Sequence, residues 1–223
     1  MSTKHSQSFL ENYLDPSDRL DELLFGLIMV LSITLGVGLA TDEGGSTLLV
    51  ASTIFGCNLA WGLIDGIMYI VTQLYNRSRK AQLIEALRST NNAAEQIATV
   101  GSVLDDELSP LTSEDERHRL YLDISRRLHG VSIQQTRVVA DDVYGALAIV
   151  WLVLLASVPA VLPFLFITDR FIAARVSNAL VLVALFAVGF SFARTIHANQ
   201  WWGGISTSVL GIVMVGIVML LGG

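Results

Sequence analysis

A single carboxylate inside an apolar run is the feature of this sequence with the clearest chemical potential. Asp65 stands in Trp61-Gly62-Leu63-Ile64-Asp65-Gly66-Ile67-Met68-Tyr69, within a stretch that carries no other charge. A carboxylate in hydrocarbon costs several kcal/mol or holds a proton, so such residues usually face a cavity, an ion path or a partner. On a helix, Asn58 lies seven positions earlier on the same face and Thr72 seven later, with Met68 and Tyr69 at i+3 and i+4. The stripe suits a pathway for a cation or a proton, and Asp65 and Met68 are candidate metal ligands within it. The competing reading puts Asp65 at the cytoplasmic interface, where it reaches water or pairs with Arg77 or another basic group.

A second group of ligand-type residues sits further along the chain. Glu114 and His118 are four apart, and His118 and His129 share a helical face. Zinc or hard-cation sites need three or more convergent ligands. The neighbouring Arg117, Arg119, Arg126 and Arg127 favour a solvated, ion-paired helix face instead, with Asp115 and Arg119 as an i,i+4 pair. No nucleophile elbow, phosphate loop, His-Glu-x-x-His motif or cysteine pair occurs, so neither an enzyme nor a bound cofactor is expected.

These residues need a scaffold, and composition defines its class. Of 223 residues, 52% are hydrophobic and 15% charged, and the mean hydropathy is +0.58. Soluble domains carry nearer a quarter charged residues. The charges are also segregated into a few segments, which places the apolar surface against lipid. A net charge of −6 argues against nucleic acid as a partner. The polar start, Met1 to Arg19, does not read as a cleavable signal peptide, so the first apolar span is expected to direct insertion. Cys57 stands alone and forms no intrachain disulfide.

Crossing about 30 Å of hydrocarbon takes roughly 20 apolar residues. Spans are predicted at 23–40, 47–74, 143–167, 177–192 and 205–221. The fold class is therefore an all-α integral membrane protein with five transmembrane helices. Its organisation is a cytoplasmic N-terminal segment (1–22), two transmembrane helices (23–74), a helical cytoplasmic insert (75–142) and three last spans (143–223). Asp15-Pro16 reads as the start of the first helix. The second helix is long enough to continue into water. In the insert, a helical rhythm over 79–100, with one broad gap at Asn91 and Asn92, is broken by Ser109-Pro110, and a second helix starts at Thr112 or Ser113 and runs to Leu128. Arg77, Arg79, Lys80, Arg88, Arg126, Arg127 and Arg137 hold the insert in the cytoplasm. The N-terminus then lies inside and the C-terminus outside, with Arg170 and Arg175 as external exceptions. Gly62 and Gly66, Gly36 and Gly38, and Gly211 and Gly216 offer small-residue faces for helix packing or a dimer contact. Pro159 and Pro163 kink the third span or free carbonyls toward an ion, and Trp201-Trp202 anchor the fifth at the interface.

The order of elements resembles the vacuolar iron transporter family. The likeness is carried by the stretch from Ala156 through Pro159 and Pro163 to Phe166, by Asn178 through Gly189, and by a last span ending Leu220-Leu221-Gly222-Gly223. The resemblance implies a homodimer that exports a divalent cation, of iron or manganese type, from the cytosol by proton exchange. The expected location is a bacterial-type inner or plasma membrane. The family's ligand pattern is altered: Met29 stands where its first span has aspartate, and leucines occupy the ligand positions of its second span around Asn58 to Leu63. An ion site would be rebuilt around Asp65 and Met68 with Met29 opposite. The alternative is a membrane scaffold whose insert docks a partner protein.

Overall fold

A computed structural model describes residues 13–39, 46–90, 92–128, 130–131 and 136–220. Among them the chain is all helical, with no strand. The helices are α1 (Pro16–Leu39), α2 (Thr47–Ser89), α3 (Ala93–Leu108), α4 (Glu114–Leu128), α5 (Ala140–Phe166), α6 (Arg170–Thr195) and α7 (Gln200–Leu220). Three of these, α2, α5 and α6, are long and apolar enough to cross a membrane. The chain divides into two compact units, one of residues 1–69 and 140–223, the other of residues 70–139.

The first unit is a helix bundle, and its helix ends follow from local chemistry. Pro16 opens α1, where its missing N–H is no loss, and Asp18 in the first turn complements the helix dipole. Asp169 caps α6 by accepting from the Ile172 N–H at 2.9 Å. His197, in the left-handed region at φ 56°, closes its far end, with the Ala198 N–H on the Ala193 carbonyl at 2.8 Å. Asn199 caps α7 through the Trp201 N–H at 3.1 Å. The core joins Leu27, Val30 and Leu31 of α1 to Val50, Ala51 and Ile54 of α2, and both to α5 and α6. On α2 and α5 the large side chains Leu63, Ile64, Ile67, Trp151 and Leu155 face outward, as lipid-facing residues do.

Small residues bring the helices close. A Cβ at Gly189 would lie 2.1 Å from the Thr207 hydroxyl and 2.6 Å from the Gly203 carbonyl, so α6 and α7 touch backbone to backbone. Gly62 and Gly66 face α5, 3.2 Å from the Val150 Cα and 3.1 Å from the Ala146 carbonyl by the same measure. Their packing partner is therefore within the chain. Gly211 meets Leu185, whereas Gly216 faces open space. Helix α5 runs unbroken through Pro159 and Pro163.

The second unit departs from expectation at one point. The sequence rhythm predicts one helix over 79–100, but α2 instead continues to Ser89 and a new helix begins at Ala93. The reason is capping. Asn92 accepts from the Ala94 N–H at 3.0 Å, and its own N–H donates to the Thr90 hydroxyl at 3.2 Å, which competes with continued helix. Helix α4 starts as expected after Ser113, whose N–H and hydroxyl donate to the Glu116 carboxylate at 3.0 and 2.7 Å. Leu87, Val100 and Tyr121 form a small separate core. The ion pairs formed include Arg127 with Asp123 at 2.9 Å and Arg117 with Asp105 at 3.3 Å. Among the described residues, Asp115 and Arg119 form no such pair. The Arg77 guanidinium donates to the Arg137 carbonyl at 3.3 Å, and Arg88 donates to the Val131 carbonyl. The segment between the first two predicted spans, 41–46, lies mostly outside the described residues.

Candidate functional site

Helix α2 gathers its polar residues on one side. Asn58, Gly62, Asp65, Gly66 and Tyr69 follow the i, i+4, i+7, i+8, i+11 spacing of a single helical face. The two glycines of that face lie against Val150 and Ala146 of α5, so the polar groups between them point into the bundle. Asp65 is half-buried.

Its partner is another acid. The carboxyl of Glu22, on α1, lies within hydrogen-bonding reach of the carboxyl of Asp65. Two carboxylates that close repel, which favours one proton held in common. The second oxygen of Glu22, Oε2, is buried and accepts nothing. Two turns further along α2, about 10 Å by helix rise, Asn58 is fully buried. Neither its amide nitrogen nor its amide oxygen has a hydrogen-bond partner. An orphaned buried amide is expensive, and here it stands on the face that carries Asp65. At the other end of the face, the Tyr69 hydroxyl donates to the Tyr13 carbonyl at 3.2 Å. The Tyr69 ring packs on Gly145, where a Cβ would come within 2.3 Å of it.

The arrangement has a definite chemistry. With one shared proton, the pair carries one negative charge. Without it, two carboxylates supply the charge and the oxygen ligands that a divalent cation prefers. The Asn58 amide oxygen adds a neutral ligand of the same type along the same face.

The other candidates are placed as follows. Met29 is half-buried on α1, while Met68 is 54% exposed on the outer surface of α2, and Thr72 is exposed too. Asp65 faces the Glu22 carboxyl. Glu114 and His118 line a groove of about 700 Å³ in the second unit together with Asp105, Arg117 and Tyr121. Within it Asp105 is already engaged by Arg117 and by the Tyr121 hydroxyl at 2.7 Å. His129 lies outside the described residues. Among the described residues no three of His, Cys, Asp and Glu gather as a metal site would require.

Sequence reasoning missed Glu22, assigning it to the polar segment before the first span. The signal was the pairing of an acid with a glycine one turn on. Glu22 and Gly26 share a face at i, i+4, and Gly26 sits against Ala156 of α5, where a Cβ would meet the Ala156 Cβ at 2.8 Å. Asp65 is likewise flanked by Gly62 and Gly66 on α5. Comparison with models of known protein families finds no match to this chain, and comparison with curated proteins finds none either.

Proposed function

We propose that this chain is a five-span integral membrane protein that carries a divalent cation across the membrane in exchange for protons. The Glu22–Asp65 carboxyl pair is its shared cation and proton site. The observation that carries this reading is the pair itself: two half-buried acids from different helices whose carboxyls face one another in the bundle. Such a pair is costly as a structural device, because a buried charge without an opposite partner destabilises. It is useful as an exchanger, since protons and a hard cation compete for the same oxygens.

The three helices apolar enough to cross a membrane support the membrane reading. Helices α1 and α7 belong to the same unit and are read as the other two spans. The Lys and Arg residues of the insert favour a cytoplasmic insert and N-terminus, and an outside C-terminus. The resemblance to the vacuolar iron transporter family supplies the cation class, iron(II) or manganese(II), and the export direction. It also supplies the homodimer, and the expected location is a bacterial-type inner membrane. Since Gly62 and Gly66 pack on α5, a dimer uses other surfaces.

Binding should expel the shared proton. When manganese(II) is added to weakly buffered protein in detergent, an indicator dye should report proton release from wild type. Release should be lost in Glu22→Gln and Asp65→Asn. Manganese binding with equal proton release in all three proteins would sink the reading.

A further inference from the structure

A groove between α1, α5 and α6 lies apart from the carboxyl pair, with a volume of about 490 Å³. That is the size of a site for a small organic ligand. Its walls are apolar, built from Leu20 and Leu23 of α1, Leu152 and Leu155 of α5, and Val188 and Phe192 of α6. Polar groups line it as well: the Arg19 guanidinium, with the Ser191 and Thr195 hydroxyls.

Helix geometry puts these polar groups at one level. Thr34 of α1 donates to Asn178 of α6, which sets where the two helices meet. Arg19 lies 15 residues before Thr34, about 22 Å by helix rise, and Thr195 lies 17 after Asn178, about 25 Å. Both therefore sit at the same end of the groove. The Arg19 Nε is buried and has no hydrogen-bond partner. Arg194, in the last turn of α6, adds positive charge at that level. Leu155, Ala187 and Ser191 are exposed, so the groove opens sideways on the bundle surface.

Asp15, Asp18 and Asp21 flank Arg19 along the chain but do not line the groove. Among the described residues the one charge in its lining is the Arg19 guanidinium above an apolar trough, which fits an amphiphile with a negative head. We propose that the groove binds one anionic glycerophospholipid, its phosphate on Arg19 with Ser191 and an acyl chain along the leucine, valine and phenylalanine walls. Guanidinium and phosphate form charge-assisted hydrogen bonds, and because phosphatidylcholine has the same phosphate beside a choline cation, the preference for an anionic head comes from its net negative charge. The proposal rests on the membrane reading of the bundle and not on cation transport.

The test is native mass spectrometry of the full chain in mild detergent, with equal phosphatidylglycerol and phosphatidylcholine. Wild type should retain phosphatidylglycerol about fivefold better, the scale of one basic residue's attraction to a head with net negative charge. Arg19→Lys should keep the preference and Arg19→Gln should lose it. Ala187→Phe, which fills the groove, should lower retention of both lipids, with circular dichroism confirming that each variant is folded. Equal retention of the two lipids by wild type would overturn the proposal. So would an unchanged preference in folded Arg19→Gln, or displacement of phosphatidylglycerol by inorganic phosphate. Carbonate extraction of membranes tests the membrane reading separately, and release of the chain would overturn both.

Discussion

Replacing Asn58 with leucine should make the protein more stable and less active at once. Asn58 is fully buried and both polar atoms of its side chain lack partners. Each unsatisfied buried polar group costs about 1–3 kcal/mol, so removing the amide recovers at least about 2 kcal/mol. Leucine keeps the branch at Cγ, and a near-isosteric change at a packed site costs under about 1.5 kcal/mol. The net expectation is a gain of about 1 kcal/mol, a rise of about 2–4 °C in melting temperature for a unit of this size. Thermal melts in detergent measure that shift, and manganese uptake by vesicles holding the same protein measures activity. A well-expressed Asn58→Leu protein that melts below wild type would mean that the amide has a structural partner. Unchanged uptake would remove Asn58 from the pathway.

Three further outcomes follow from particular contacts. Gly189→Ala places a Cβ 2.1 Å from Thr207 and should destabilise the chain by about 1–3 kcal/mol, whereas Gly216→Ala, facing open space, should be neutral in the same melt. The Glu116 carboxylate, exposed at the start of α4, is held below its ordinary value by the Ser113 backbone N–H and then by the Ser113 hydroxyl. A lowered folded value adds stability that is present above about pH 4.5 and is lost as pH falls through the lowered value. Hydrogen exchange of the first turn of α4 should therefore quicken in acid in wild type, and show no such step in Glu116→Gln. A topology reporter fused after Asn92 should read cytoplasmic and one after Gly223 outside; the same side for both would refute five spans.

Much of the architecture was readable because hydrophobic length and helix caps are local. The starts near Pro16 and after Ser113, the long second helix and the proline-bearing helix beginning at Ala140 all depend on residues within a few positions of each boundary. The gap in the apolar rhythm at Asn91 and Asn92 was visible but was read as an interruption within one helix, because the break itself is made by an asparagine cap. At the site, Asp65 and Asn58 were legible as polar residues in an apolar run. Glu22 was not, since it borders a charged segment and its importance lies in a contact with a helix 43 positions further along the chain. Met68 illustrates the converse. Its i+3 spacing from Asp65 suggested a shared site, yet it turns to the outer surface because glycines, not methionine, occupy the positions that pack on α5.

The central claim is that Glu22 and Asp65 exchange protons for a divalent cation, and paired flux measurement in vesicles tests it most directly. Manganese entry and proton movement are followed together in vesicles holding wild type, Glu22→Gln or Asp65→Asn, alongside melting curves of each protein. In each variant an amide replaces one acid but can still hydrogen-bond to the other, so melting should stay within about 1 kcal/mol of wild type. Wild type should move protons against manganese, and both variants should lose both fluxes while remaining folded. Coupled flux at the wild-type rate in a stable Asp65→Asn protein would contradict the mechanism.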